Sequence, residues 1–393
     1  MVATMSMSGL SLSLGSLKLL PEHVLIVVLA VTCALTPGLV AGIGAIRKRQ
    51  FIAIVSVLSW LAVSVAASVA NSPDPGQSLK LLAWTAVNLL GLFVAYLHPL
   101  PLLTKVRDFV AVTCVLCGFY FLAWAYASAT GVSSILVSKD YASNSFRAQG
   151  LMLEPNILAG LCVLVAGLAF VYRRHLSNTF LSITLVVLGL TVGATITRVA
   201  WVMFAGLLVA FLFKWASFGK RVFLSAVLVG ICAIAFQGGF GAGLGGELTE
   251  TLSARLGSLF QFDGGTGRFR LQSASTAINE IFRAGFPGGL GFNSFPQRHE
   301  SSLTSTGDLY LGLLWLVIFY DSGFIGGALF LVSFILVWTS SPRSASLFFV
   351  TFAAVASTTN PIWYAFPWVL VALIFSARSL TTPPPASLEM TAK

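Results

Sequence analysis

Three stretches of the chain gather the residue types that bind and relay charge. The first, Arg147-Ala148-Gln149-Gly150-Leu151-Met152-Leu153-Glu154-Pro155-Asn156, leads from a polar loop into an apolar run. The second, Thr195-Ile196-Thr197-Arg198, separates two apolar runs. The third is the glycine-rich segment 238–308. It holds Glu247, Glu250, Arg255, Asp263, Arg268, Arg270, Glu280, Arg283, Arg298, His299, Glu300 and Asp308. In 393 residues with only 23 Lys+Arg and 13 Asp+Glu, that density marks the segment as more than a connector.

Each stretch has a chemical reading and a plain one. Arg198 opens an apolar run and so starts a helix, where free backbone N–H groups and the positive dipole end favour an anion. Its planar guanidinium fork suits phosphate; the plain reading is an arginine snorkelling to the membrane interface. Pro155 suits the first helical position and Glu154 suits the helix dipole, which makes a simple cap. The other reading puts Glu154 and Asn156 on a polar cavity at the membrane boundary. In the third stretch Leu271, Ala274, Ile278, Ile281 and Phe282 recur at helical spacing, opposite Gln272, Ser275, Asn279, Glu280 and Arg283. That pattern predicts an amphipathic helix on the membrane surface or capping the bundle. Gly264-Gly265-Thr266-Gly267-Arg268 leads into it. The turn-rich run Phe286-Pro287-Gly288-Gly289-Leu290-Gly291-Phe292-Asn293-Ser294-Phe295 follows, its glycines permitting close approach of another chain or ligand as readily as an ordinary loop.

Other chemistries find no spacing to carry them. His23, His98 and His175 fall at helix ends or in inner loops, and no HxxxH or HExxH pattern occurs, so a protein-bound catalytic metal is not expected. No Walker-type glycine loop and no other cofactor motif is present. Cys33, Cys114, Cys117, Cys162 and Cys232 all lie in apolar runs and read as packing residues, although Cys114 and Cys117 have CxxC spacing.

The elements that must position these stretches follow from composition. Apolar residues make up 57% of the chain and charged ones 9%, with a mean hydropathy of +0.90. Soluble domains carry roughly 25% charged residues, so this chain needs lipid as part of its solvent. The apolar runs are long and continuous, which predicts helices rather than barrel strands. The reading is an all-α polytopic bundle, a single integral membrane domain over residues 1–393. Its eleven spans cover 23–46, 51–70, 79–97, 109–130, 155–172, 179–194, 199–213, 222–237, 309–338, 346–355 and 362–375, the ninth long enough to tilt or break at Gly323. A further half-span before Pro21, where Lys18 is the sole charge, would make twelve; no cleavable signal is evident there.

Basic residues divide by side. Arg47, Lys48, Arg49, Lys105, Arg107, Arg173, Arg174, Lys214, Lys220, Arg221, Arg343 and Arg378 follow odd-numbered spans, whereas the short opposite loops hold only Lys80, Lys139, Arg147 and Arg198. The net charge of +10 is thus a topology signal rather than a nucleic-acid footprint. It puts the C-terminal tail in the cytoplasm, and loop 131–153 and segment 238–308 outside. Short turns suffice to join helices, so the long outer segment between spans eight and nine calls for a function.

In this order and placement the motifs resemble the O-antigen ligase and polymerase family of bacterial membrane glycosyltransferases. Residues 147–159 resemble the family's Arg-x-x-Gly-x-x-x-Glu-Pro-Asn-x-Leu-Ala, and Thr197-Arg198-Val199-Ala200-Trp201 its Ser-Arg-Gly-x-Trp. Thr266-Gly267-Arg268 followed by 287–295 is similar to Gly-Arg…Pro-x-x-Gly-x-Gly-x-x-x-Phe. Asp321-Ser322-Gly323-Phe324-Ile325-Gly326 is similar to the closing Glu-x-Gly-x-x-Gly. The resemblance spans about 147–331, under half the chain. It departs at the His-Asn pair of family ligases, where Gly307 or Gly312 stands here according to register. Family polymerases often lack that histidine, so the departure favours a polymerase.

The resemblance implies a polyprenyl-diphosphate-linked glycan donor, presented at the outer face of the bacterial cytoplasmic membrane and transferred to a hydroxyl of a glycan or lipid acceptor. Arg198 and Arg268 would stabilise the departing diphosphate, with Arg147 or Arg270 assisting and Asn156 and Asn293 binding substrate. Glu154, His299 and Asp308 are the candidate bases. No cofactor is needed, because the diphosphate linkage stores the energy. Besides membrane lipid, a chain-length regulator or other envelope-assembly protein is a possible partner, and nucleic acid is not. Two other readings stand beside a polymerase or ligase. One is a transporter or flippase of a lipid-linked anion, in which the arginines only bind; the other is a non-catalytic scaffold.

Overall fold

A computed structural model describes residues 12–14, 17–19, 21–35, 46, 48–97, 101–140, 145–152, 154–215, 265–285, 287–299 and 311–376. Span eight, the second part of span one, Asp308 and Gly307 lie outside them. Twelve α-helices are present among the described residues, and the chain is an all-α polytopic bundle. They are α1 (Pro21–Ala34), α2 (Lys48–Asn71), α3 (Pro75–Leu97), α4 (Leu102–Thr130), α5 (Pro155–Val171), α6 (Asn178–Ala194), α7 (Arg198–Trp215), α8 (Gly265–Glu280), α9 (Ser294–His299), α10 (Leu314–Ser340), α11 (Ser346–Ala356) and α12 (Ala365–Ser376). Helices α2, α3, α4 and α10 are long and apolar enough to cross a bilayer, and six shorter ones are apolar. Before Pro21 the described residues form a small antiparallel hairpin, β1 (Leu12–Leu14) with β2 (Leu17–Leu19), and no helix.

Burial separates pillar from periphery. Helix α5 is apolar all round and is enclosed all round, with every residue from Ile157 to Phe170 buried. It packs against α6, α7, α11 and α12. Peripheral helices turn large apolar side chains outward: Val115, Phe119 and Leu122 on α4 are each 60–62% exposed, as lipid-facing residues are. The four described cysteines fill packing positions, with Cys117 and Cys162 meeting between α4 and α5 at 3.5 Å.

Asn88 links polar groups across the bundle. His23 Nε2 lies 3.1 Å from Asn88 Oδ1, and Asn88 Nδ2 donates to the Trp363 carbonyl at 2.9 Å. One amide thus joins α1 and α3 to the turn before α12. Asn88→Leu strands both partners, and we expect it to cost about 1–2 kcal/mol. The check is a lower midpoint of thermal unfolding in detergent.

The ninth span is broken where glycine suggested. Gly323 has φ 64° and ψ −168° inside α10. Only glycine adopts that backbone readily. The break receives the glycine-rich run. Leu290 N–H donates to the Tyr320 carbonyl (2.9 Å), Gly291 N–H to the Asp321 carbonyl (3.1 Å), and Ile325 N–H to the Pro287 carbonyl (3.4 Å). A Cβ on Gly289 would stand 2.5 Å from the Asp321 oxygen, and one on Gly323 2.1 Å from the Pro287 oxygen. The two glycines let backbone meet backbone.

Candidate functional site

The first two arginine-bearing stretches meet at one end of the bundle. After α4, an antiparallel hairpin forms from β3 (Val137–Asp140) and β4 (Ser145–Ala148), with Ser138 opposite Arg147. Val137 and Ala148 are buried, which anchors the hairpin and aims Arg147 across the helix ends. Its Nε donates to the Thr195 carbonyl at 2.9 Å. One terminal nitrogen reaches Asn156 Oδ1 (3.5 Å) and Thr197 Oγ1 (3.4 Å). Thr197 Oγ1 also donates to Asn156 Oδ1 at 3.2 Å, and Asn156 Nδ2 to Glu154 Oε1 at 3.3 Å. Residues far apart in sequence thus share one network.

Local geometry explains the arrangement. Pro155 occupies the first turn of α5 as expected, and Glu154 is the residue before it, in extended conformation. Its carboxylate makes no capping bond to backbone; it holds the Asn156 amide instead. Glu154 thus keeps its place at the positive end of the α5 dipole while its side chain joins the polar cluster. Arg198 is the first residue of α7, half-buried, immediately after a tight turn in which Ile196 is held at φ 51°. Trp201 Nε1 donates to the Val192 carbonyl at 3.1 Å and ties α7 to α6 across that turn. The α7 N-terminus is therefore fixed beside the Arg147 fork.

Within the third stretch, the described residues form helices α8 and α9. Arg268 and Arg270 fall in the first turns of α8, which starts at Gly265, so Gly265 and Gly267 are helical rather than a leader. Nothing is described of those two arginine side chains. The predicted apolar stripe is split. Ile281 turns inward with Ser273 and Ala277, while Leu271, Ile278 and Phe282 point out. In lipid, apolar side chains do not mark the protein-facing side, and small residues permit close helix contact. Segment 238–308 accordingly contains a helix packed on α10, where Ala277 and Ile281 join Val317 and Tyr320, and its exposed side mixes Leu271 and Ile278 with Gln272, Ser275 and Asn279.

Beyond α8 a second polar cluster forms. His299 Nε2 lies 2.9 Å from Glu280 Oε1, and the Tyr320 hydroxyl donates to Glu280 Oε2. The His299–Glu280 contact is an ion-pair approach rather than an aligned hydrogen bond. Asn293, a substrate-binding candidate, sits at φ 51°, and its backbone N–H faces the buried Asp321 carboxyl. The sequence offers no cue to Glu280 and Tyr320 as partners of His299. Nor does it single out the α2–α3 turn that supports the glycine run. There Asn71 Nδ2 donates to the Gly289 carbonyl (2.8 Å), Ser78 Oγ to the Phe292 carbonyl (2.7 Å) and Phe292 N–H to Ser68 Oγ (2.9 Å).

The two clusters lie at the same end. The Phe292 ring meets the Trp363 ring edge-on at 5.2 Å, and the adjacent Tyr364 hydroxyl donates to the Met152 carbonyl at 3.3 Å, two residues before Glu154. Among the described residues no group of three or more His, Cys, Asp and Glu side chains converges. The first cluster sets guanidinium, amide and hydroxyl donors beside the Glu154 carboxylate, and donors of that kind suit an oxyanion. No protein-family model matches the chain, and no curated protein sequence matches it. The chain is a membrane protein; its activity is read from these two clusters and the motif resemblance.

Proposed function

We propose that the chain is a metal-independent membrane glycosyltransferase of the O-antigen ligase and polymerase type, acting as a polymerase of lipid-linked repeat units. Its place is the bacterial cytoplasmic membrane, with the active end extracytoplasmic. The observation that carries the reading is the Arg147 fork. It ties the first stretch to the turn before Arg198, so that a helix N-terminus and two guanidinium groups share one end of the bundle. The interlocked glycine run and α10 break give further support, because they join the last two motif segments.

The chemistry suits those groups. The bond from the anomeric carbon to the diphosphate oxygen breaks, and the electron pair leaves with the polyprenyl diphosphate. Arg198 and Arg147, with Arg268 and Arg270 at the start of α8, receive that charge. The acceptor oxygen forms the new glycosidic bond and loses its proton to a base. A broken membrane helix is also a transporter feature, which keeps a flippase in view. Here, however, the chain's own loop fills the break, so it does not line an open path.

The test is release of free polyprenyl diphosphate from a synthetic polyprenyl-diphosphate glycan by the purified protein. Lipid-linked substrate moved across liposomes without release would reject an enzyme in favour of a flippase. In a deletion strain, single repeats left attached to their acceptor mark a polymerase, and full-length polymer left on the carrier lipid marks a ligase. Any role of a chain-length regulator is read from polymer length in the same strain.

A further inference from the structure

We propose that the break in α10 is a binding site for a small monovalent cation of the sodium type, held by the Asp321 carboxylate and the Ser294 hydroxyl. The inference stands apart from the glycosyl-transfer reading, since it needs no glycan substrate. Asp321 lies two residues before Gly323, in a helix apolar enough to cross the bilayer, and it is only 2% exposed. Among the described residues no lysine, arginine or histidine forms an ion pair with it. The Asn293 backbone N–H serves its carboxyl, and Oδ2 is buried with no hydrogen-bond partner. A carboxylate held at that depth, away from water, calls for a counter-ion. A second unpartnered oxygen belongs to the same junction. Ser294 follows Asn293 directly, is fully buried, and its Oγ has no partner. The turn that carries it is fastened to Asp321: Gly291 N–H donates to the Asp321 carbonyl at 3.1 Å, and Ser294 N–H to the Gly291 carbonyl at 3.2 Å.

The donor set decides the class of ion. Carboxylate and hydroxyl are hard oxygen ligands, which suit alkali and alkaline-earth ions rather than thiophilic metals. One carboxylate balances one positive charge. A divalent ion would call for more acidic ligands, and no such group converges among the described residues. The backbone adds negative charge. The first half of α10, from Leu314 to Ser322, directs its C-terminal, negative end at the break. Half-helix ends of this kind, with unwound carbonyls, coordinate sodium in membrane transporters. The Tyr320 and Asp321 carbonyls accept the Leu290 and Gly291 N–H groups, and each oxygen keeps a second lone pair. The close meeting of the Gly289 and Gly323 backbones favours an ion stripped of its hydration shell. A bound ion would hold the 291–294 turn and the two halves of α10 together.

The bland alternative is a carboxyl kept neutral by a proton, and it predicts no preference among salts. The experiment uses the full chain in lipid nanodiscs, in sodium, potassium or choline chloride at one ionic strength so that screening is constant. Sodium is expected to raise the unfolding midpoint saturably, by about 3 °C or more, with potassium weaker and choline without effect. Equilibrium binding of radioactive sodium should approach one ion per chain. Asp321→Asn should abolish the saturable part of both readouts, and Ser294→Ala should weaken sodium affinity roughly tenfold or more. Asp108→Asn removes an exposed carboxylate on α4 and should change neither. A wild-type chain that binds no sodium, or whose midpoint rises alike in all three salts, overturns the proposal. So does a midpoint that moves with pH and not with sodium, or saturable sodium binding kept by folded Asp321→Asn. Where Asp321→Asn does not fold, Ser294→Ala decides, and unchanged sodium affinity in that variant overturns the site.

Discussion

Gly323→Ala is expected to open the junction between α10 and the glycine run, costing about 3 kcal/mol or more. The added Cβ would stand 2.1 Å from the Pro287 oxygen and 2.4 Å from the Gly289 nitrogen. Both are backbone atoms, so no side-chain rotation relieves the clash. The φ of 64° with ψ −168° adds strain for any residue with a Cβ. Opening the junction removes the Leu290 and Gly291 N–H donors from the Tyr320 and Asp321 carbonyls. In the apolar core those carbonyls have no water to replace them. Tyr320 is also the anchor of Glu280, so transfer should fall with stability. Gly288→Ala is the matched control, because a Cβ there meets nothing within 4 Å. Thermal unfolding of both variants in detergent is the measurement; equal midpoints would show that the junction contributes nothing.

Much of the bundle is legible because bilayer thickness imposes a length on apolar runs. Span six, read as 179–194, is α6 at Asn178–Ala194. Ends are less legible where short turns intervene. Span eleven, read from residue 362, begins as a helix only at Ala365. Pro361–Trp363 forms a separate turn, capped by Asn360 Oδ1 accepting the Ile362 N–H. The amphipathic helix was expected, but not its docking side, since lipid and protein interior are equally apolar and periodicity cannot tell them apart. The candidate site divides in the same way. Arg147, Glu154 and Asn156 stand close in sequence, and their cluster follows from a turn into α5. Glu280 with His299 and Tyr320 comes from helix packing over forty residues, beyond the reach of any local pattern.

Arg147→Ala and Arg198→Ala are each expected to lower glycan transfer about 100- to 1000-fold, the usual loss when one preorganised donor to developing negative charge is removed. The two losses have different origins. Arg147 spans three elements, with Nε on the Thr195 carbonyl and a terminal nitrogen toward Asn156 and Thr197. A lysine ammonium is a single point and cannot serve both directions at once, so Arg147→Lys should recover little. Arg198, at the first position of α7, acts with the helix dipole, and a lysine there keeps the charge. Arg198→Lys should therefore recover more than Arg147→Lys. The pair should also couple, since Arg147 fixes the turn that sets the direction of Arg198. The double alanine variant is then expected to lose less than the product of the single losses. Release of polyprenyl diphosphate from a synthetic donor gives the rates, and unfolding midpoints separate misfolding from lost chemistry. Wild-type transfer by folded Arg147→Ala and Arg198→Ala proteins would remove the diphosphate from this end of the bundle. The arginines would then be interfacial anchors, and the scaffold reading would gain by the same result.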